Sequence, residues 1–297
     1  MKFLSIVGLS LFFTAFVQAG IIEDRVASIL PGKLLGNESL VLLKETGRVL
    51  RTSNDQLVKS LAESSNTGAL ISFIEDQDQI LSFAKSEIVS DQPTVLDSYR
   101  DDTLPSFSMH LKSSSARYTD ANYSPSDLAS TDDAQKLMDE LKINEKSNSQ
   151  CYQRAHLWSI EMLQMANVRS EKVFLFFSER YMREYRFHWW FHVAPFVLIN
   201  NQESVIDPSF LDHPADMQTW VNFFMFTHPT CKVVASYQEY EALNDQEYCL
   251  LRKLPMFYFE PTQVEARDKN NEVITQWIED QVISAYASLR TAPWIKR

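Results

Sequence analysis

Apolar residues open the chain almost without interruption. Phe3 to Phe16 form a largely apolar run behind Lys2, and Val17-Gln18-Ala19 close it with a small-residue cleavage pattern. The run is too short for an ordinary membrane span, and no later stretch reaches about 18 uncharged apolar residues. Residues 1–19 therefore read as a signal peptide cut after Ala19, with a buried N-terminal helix as the alternative. Residues 20–111 read as an amphipathic, mostly helical stretch whose strongest apolar cluster is Ile71, Ile74, Ile80, Leu81 and Phe83. From Lys112 to Ser130 the composition turns to Ser, Asp, Asn and Tyr and includes Ser113-Ser114-Ser115, which marks a linker or a surface loop.

A new pattern begins at Ser130-Thr131-Asp132-Asp133, which has the form of a capping box ahead of Ala134, Leu137, Met138 and Leu141 at helical spacing. After a polar stretch from Asn144 to Gln150, Ala155, Trp158, Met162 and Met165 share a second helical face, which puts Cys151 at a helix N-terminus. Lys172 to Ser178 reads as a buried strand, Trp189 to Ile199 as another broken by Pro195, and Ser204 to Ile206 as the start of a third. Asp212 to Met225 and Glu272 to Leu289 read as helices. The expected class is α+β, divided into a signal peptide (1–19), a helical pro-region or accessory domain (20–115), a linker (116–130) and a second domain (131–297).

Composition narrows the function. Of 297 residues, 45% are hydrophobic and 23% charged, which excludes a wholly disordered chain. The 28 basic against 39 acidic residues make nucleic acid an unfavourable partner. With the leader removed, no membrane anchor remains, and the exported chain is expected to be a secreted or periplasmic monomer. Three cysteines in an oxidising compartment leave one over. Cys231 and Cys249 are near in sequence and are expected to pair, a closure worth roughly 3 kcal/mol in the chain-entropy model. Cys151 is then free; three reduced core cysteines are the alternative.

A free thiol at a helix N-terminus meets a dipole and unpaired N–H groups that favour thiolate, although most free cysteines are small buried hydrophobes. A thiolate nucleophile needs an imidazole, and the imidazole needs an orienting acceptor. His192 lies in the apolar run Trp190-Phe191-His192-Val193-Ala194-Pro195, where an unbonded ring is costly; a satisfied core histidine is the plainer reading. His188 sits too near a charged segment, and His156 is five residues past Cys151, on another helix face. Asp207 ends Val205-Ile206-Asp207-Pro208, where it is equally a turn-initiating Asp-Pro. If Asn200-Asn201 is a two-residue type I′ turn, Asp207 falls opposite Ala194 and diagonal to His192. A four-residue loop would instead pair it with Phe196, out of reach.

Cys151-Tyr152-Gln153-Arg154-Ala155-His156, His192-Val193-Ala194-Pro195 and Ile206-Asp207-Pro208-Ser209, in that order, resemble the bacterial protein-glutaminase family over roughly residues 131–230. The resemblance implies a small papain- and transglutaminase-like domain with an antiparallel sheet, preceded by a pro-region over the site. It also implies deamidation of glutamine side chains in protein or peptide substrates, with ammonia release and no cofactor or metal. Cys151 would be the nucleophile, His192 the base and acid, and Asp207 the orienting carboxylate. Trp189 and Trp190 would wall a slot for the glutamine methylenes, or else pack in the core. The same thioester could pass to an amine, as in a transglutaminase, or the site could be a thiol protease. A non-catalytic exported binding module, with Cys151 structural, is the remaining alternative.

Overall fold

The computed structural model describes residues 20–32, 38–85, 122–141, 150–225, 230–241 and 247–289. The expected signal peptide, residues 86–115 of the expected pro-region and residues 116–121 of the expected linker lie outside these residues, whereas 122–130 of that linker are described.

Residues 20–85 form a six-stranded sheet, a correction to the helical reading. Its strands are β1 (Gly20–Asp24), β2 (Val26–Leu30), β3 (Ser39–Leu43), β4 (Val49–Thr52), β5 (Ile71–Asp76) and β6 (Gln79–Lys85), in spatial order β1-β5-β6-β4-β3-β2. Among the described residues of this unit one helix occurs, α1 (Asp55–Ser65), capped by the Asn54 side chain. The helical reading failed because apolar residues here repeat at two. Ile71 and Phe73 point inward while Ile74 is exposed, and the strand rule follows from that alternation. Gln77 and Asp78, both at positive φ, make a tight β5–β6 turn without glycine, which hid the hairpin from turn statistics. Strand β3 is buried on both faces. Val41 and Leu43 join Leu50, Leu61 and Phe73 in this unit's own core, while Leu40 and Leu42 join the larger core beyond it.

That larger core surrounds a second sheet. Its strands are β7 (Asp127–Leu128), β8 (Glu171–Phe177), β9 (Phe191–Ile199), β10 (Gln202–Val205), β11 (Ala215–Asp216), β12 (Lys232–Val233) and β13 (Cys249–Pro255). They run in order β11-β10-β9-β8-β13-β12, with β7 parallel to β9. Around them lie α2 (Thr131–Glu140), α3 (Cys151–Ala166), α4 (Glu179–Glu184), α5 (Met217–Phe224), α6 (Gln238–Glu241), α7 (Pro261–Asn270) and α8 (Glu279–Leu289). Ser130 caps α2 as its sequence implies. The architecture is mixed α+β with mostly antiparallel pairing.

Local expectations also shift. Pro195 does not break β9: Lys172 still pairs with it and its carbonyl accepts the Ile206 N–H at 2.9 Å. Pro214 lies before α5 rather than within it; of the helix expected over Glu272 to Leu289 only α8 forms, after an irregular stretch, and α7 precedes that range. Cys231 and Cys249 are joined by a disulfide across the β12 and β13 starts, and Cys151 is free. Among the described residues, no helix is long and apolar enough to cross a membrane.

The two sheets meet along a hydrogen-bonded seam. Val49 and Trp190 donate their N–H groups to His188 and Gly47 carbonyls at 2.8 and 3.0 Å, and the Trp190 indole donates to the Leu43 carbonyl at 2.8 Å. Arg51 reaches the Met182 and Phe187 carbonyls, Arg183 reaches those of Leu30 and Pro31, and His188 bonds Asp78.

Candidate active site

His192 is fixed by strand pairing. It stands opposite Leu175 on β8, two residues into β9, in the sheet's buried centre. The chain then turns at Asn200-Asn201, whose φ values of 52° and 62° belong to a two-residue type I′ turn. Gln202 consequently pairs with Ile199 and Val205 with Phe196. Continuing that register sets Asp207 opposite Ala194, on the same face as His192 and diagonal to it. The four-residue alternative is absent.

The two side chains meet. His192 Nε2 lies 2.8 Å from Asp207 Oδ2, with Asp207 fully buried and His192 nearly so. Burial by itself would strip the proton from the imidazole. The Asp207 charge and hydrogen bond, helped by a hydrogen bond with Cys151, outweigh it and hold the His192 pKa up to about 9. Since Nε2 faces Asp207, Nδ1 is the nitrogen left for the thiol. Phe210 and Phe224 pack their rings 5.0 and 4.7 Å from the imidazole centroid and exclude water from it.

Cys151 is the first residue of α3 and is only partly covered. Gln153 turns its side chain back to accept the Gln150 N–H at 2.9 Å, which starts the helix in the manner of a capping box. The first-turn N–H groups have no carbonyl one turn back, so the Cys151 N–H is aimed outward beside its own sulfur. Such an arrangement is suited to receive an oxyanion formed next to the sulfur.

Trp220 lies in the stretch Asp212 to Met225, which the sequence marks only as helical. Its indole N–H donates to Asp207 Oδ2 at 2.8 Å, so one carboxylate oxygen serves both His192 and Trp220. Asp207 Oδ1 is buried with no hydrogen-bond partner among the described residues. A buried tryptophan requires an acceptor, which was the available signal; the sequence did not say which acceptor.

The other candidates separate. Trp189 is half-buried with its ring 6.1 Å from Phe210, itself against His192. Trp190 is buried with its indole spent on Leu43, and it borders a different cavity. His156 is fully buried with Nδ1 2.7 Å from Lys172 Nζ, which also donates to the Tyr258 carbonyl. Burial pushes both pKa values well down, disfavouring the charged form of either group. No cluster of three His, Cys, Asp or Glu side chains suited to a metal occurs among the described residues.

Comparison with known proteins adds a family. Residues 127–224 match the family described as Glutaminase. Among solved structures, a crystal structure of pro-protein-glutaminase is 12% identical, covering 91% of this chain and 94% of its own, with TM-score 0.46. Its A47Q2 mutant is 14% identical over 81% and 84%, with TM-score 0.45. The NMR structure of protein-glutaminase from Chryseobacterium proteolyticum is 16% identical over 53% and 84%, with TM-score 0.34. These likenesses are too distant to assign any residue here. No curated protein matches the chain. Residues 127–224, which hold Cys151, His192, Asp207 and Trp220, are similar to the family described as Glutaminase.

Proposed function

We propose that this chain is an exported thiol hydrolase that converts glutamine side chains of proteins to glutamate. The observation that carries the reading is the buried His192–Asp207 pair at 2.8 Å, with the free Cys151 at the N-terminus of α3 acting on the same imidazole. The Cys151 thiolate attacks the δ-carboxamide carbon, and the oxyanion forms beside the Cys151 N–H. His192 gives its proton to the nitrogen as the C–N bond breaks, so ammonia leaves and a thioester remains. Water then loses a proton to His192 as its oxygen attacks the thioester. Collapse returns the thiolate and releases glutamate, for a net consumption of one water per ammonia. Asp207 keeps the imidazole oriented and stabilises its charged form, while Trp189 walls the approach.

Residues 20–115 act in this reading as the pro-region over the site. The β3–β4 turn supports it, because Gly47 accepts from Trp190 and Glu45 lies 3.5 Å from the hydroxyl of Tyr152, the neighbour of Cys151. Export fits the Cys231–Cys249 disulfide, since such bonds persist in oxidising compartments. Incubating the purified protein with a glutamine-rich protein, with and without added amine, tests the activity. Ammonia release with a mass gain of about one dalton per site and an uncut chain is expected. Amine incorporation, backbone cleavage or no reaction would replace the proposal with acyl transfer, proteolysis or a binding role.

A further inference from the structure

A cavity of about 500 Å³ lies between the two sheets, and neither Cys151, His192 nor Asp207 lines it. Its volume falls in the range of small-molecule sites. One wall is apolar and comes from β2 and β3; the facing wall carries three aromatic rings, Trp190, Tyr237 and Tyr240. These rings are neighbours, with centroids 6.2 Å apart for Trp190–Tyr240 and 5.6 Å for Tyr237–Tyr240. Aromatic rings gathered around one space attract cations.

The charges lining the cavity point the same way. Three carboxylates, Glu179, Glu260 and Glu265, face a single ammonium, that of Lys44. Glu179 is neutralised by Arg183 at 2.7 Å and Glu265 by Lys269 at 2.9 Å. Glu260 is less well matched: it accepts the Thr262 hydroxyl, and Lys44 stands 3.9 Å away, the limit of an ion pair. Burial raises the Glu260 pKa above the usual carboxylate value, the mark of a charge lacking compensation. The polar groups of two of the rings are already committed, Tyr240 to the Phe177 carbonyl and Trp190 to the Leu43 carbonyl. With those groups committed, the Tyr240 and Trp190 rings offer the cavity chiefly aromatic surface, which suits an alkylated ammonium.

We propose that this cavity is a binding site for a small alkylated ammonium ion, held by the Trp190, Tyr237 and Tyr240 rings and by the Glu260 carboxylate. The site is separate from the proposed catalytic groups and does not depend on their chemistry. Because its walls come from both sheets, an occupant also strengthens the seam between them.

Calorimetric titration of the full chain with choline, and with its uncharged isostere in which carbon replaces nitrogen, tests the proposal. Choline is expected to bind saturably and raise Tm, and the isostere to do neither. Glu260→Gln should weaken choline binding about tenfold. Lys44→Met should tighten it, because a competing cation leaves the cavity; a variant that merely damaged the fold would only weaken binding. The proposal is overturned if the isostere binds as well as choline, if choline does not saturate, or if Glu260→Gln leaves its affinity unchanged.

Discussion

At the scale of single residues, Cys151→Ala removes the sulfur and little volume, so ammonia release should vanish while the melting temperature stays near that of the parent chain. His192→Ala should be about as damaging, because groups acting as a unit lose nearly everything singly. The pH dependence is more discriminating. With His192 held up to about 9, ammonia release should fall as pH rises through that value and the proton for the leaving nitrogen is lost. Asp207→Asn removes the charge that offsets burial, so the alkaline limb should move toward acid, to or below the ordinary histidine value of about 6.5. An unmoved limb would assign it to another group. The same pair contributes stability that is fully present below about 6.5 and is lost as pH rises through about 9. Cys151, His192 and Asp207 were legible because each residue type has a chemical need: a thiol left over from pairing, an idle imidazole in an apolar strand, a carboxylate at a strand end. Trp220 was not, since its need for an acceptor is met by a residue that only the folded α5 brings near.

At the scale of elements, the register of β9 and β10 was readable because a two-residue turn leaves one arithmetic solution, and Asn200-Asn201 adopts the positive φ that the turn demands. The first sheet was not readable, because its pairings are long-range: β1 meets β5 across a distance in sequence that local periodicity does not report. Helix α3 was legible by its spacing, but its packing against α8 was not, and that contact has a measurable consequence. Burial pushes Glu161 on α3 up to about 7, and burial together with the Glu161 charge raises the Tyr286 pKa on α8. Folding therefore disfavours the ionised form. The penalty is absent below the ordinary value near 4.5, grows as pH rises, and is complete above about 7. Glu161→Gln should leave Tm unchanged at pH 4 and raise it by about 2–4 °C at pH 8. Equal shifts at both values would make the effect one of packing rather than charge.

At the scale of the molecule, the seam joins two sheets that each own a core, and its bonds cluster at His188–Trp190, next to His192. Limited proteolysis between Lys112 and Ser130 should leave two fragments that stay together at first, since a tethered or freshly cut partner acts at high effective concentration. Activity should climb only as the N-terminal fragment dissociates. An uncut chain as active as the separated C-terminal fragment would make residues 20–115 an ordinary accessory unit.

Gly47 sits where the sheets touch, with φ +66°, and a β-carbon there would crowd the Phe191 ring at 3.0 Å. Most seam residues hold by side-chain or carbonyl bonds that can be traded for weaker ones, so inheritance can loosen the hold by small steps. Gly47 has no such intermediate. Every amino acid that a single nucleotide change could bring to this position carries a β-carbon, which pays both the backbone strain and the crowding at once. The latch between the two sheets is therefore open to gradual tuning along most of its length and to abrupt loss at one point. A survey of random variants scored for early release should find Gly47 substitutions alike in effect whatever the residue, and Arg51 substitutions graded by size and charge.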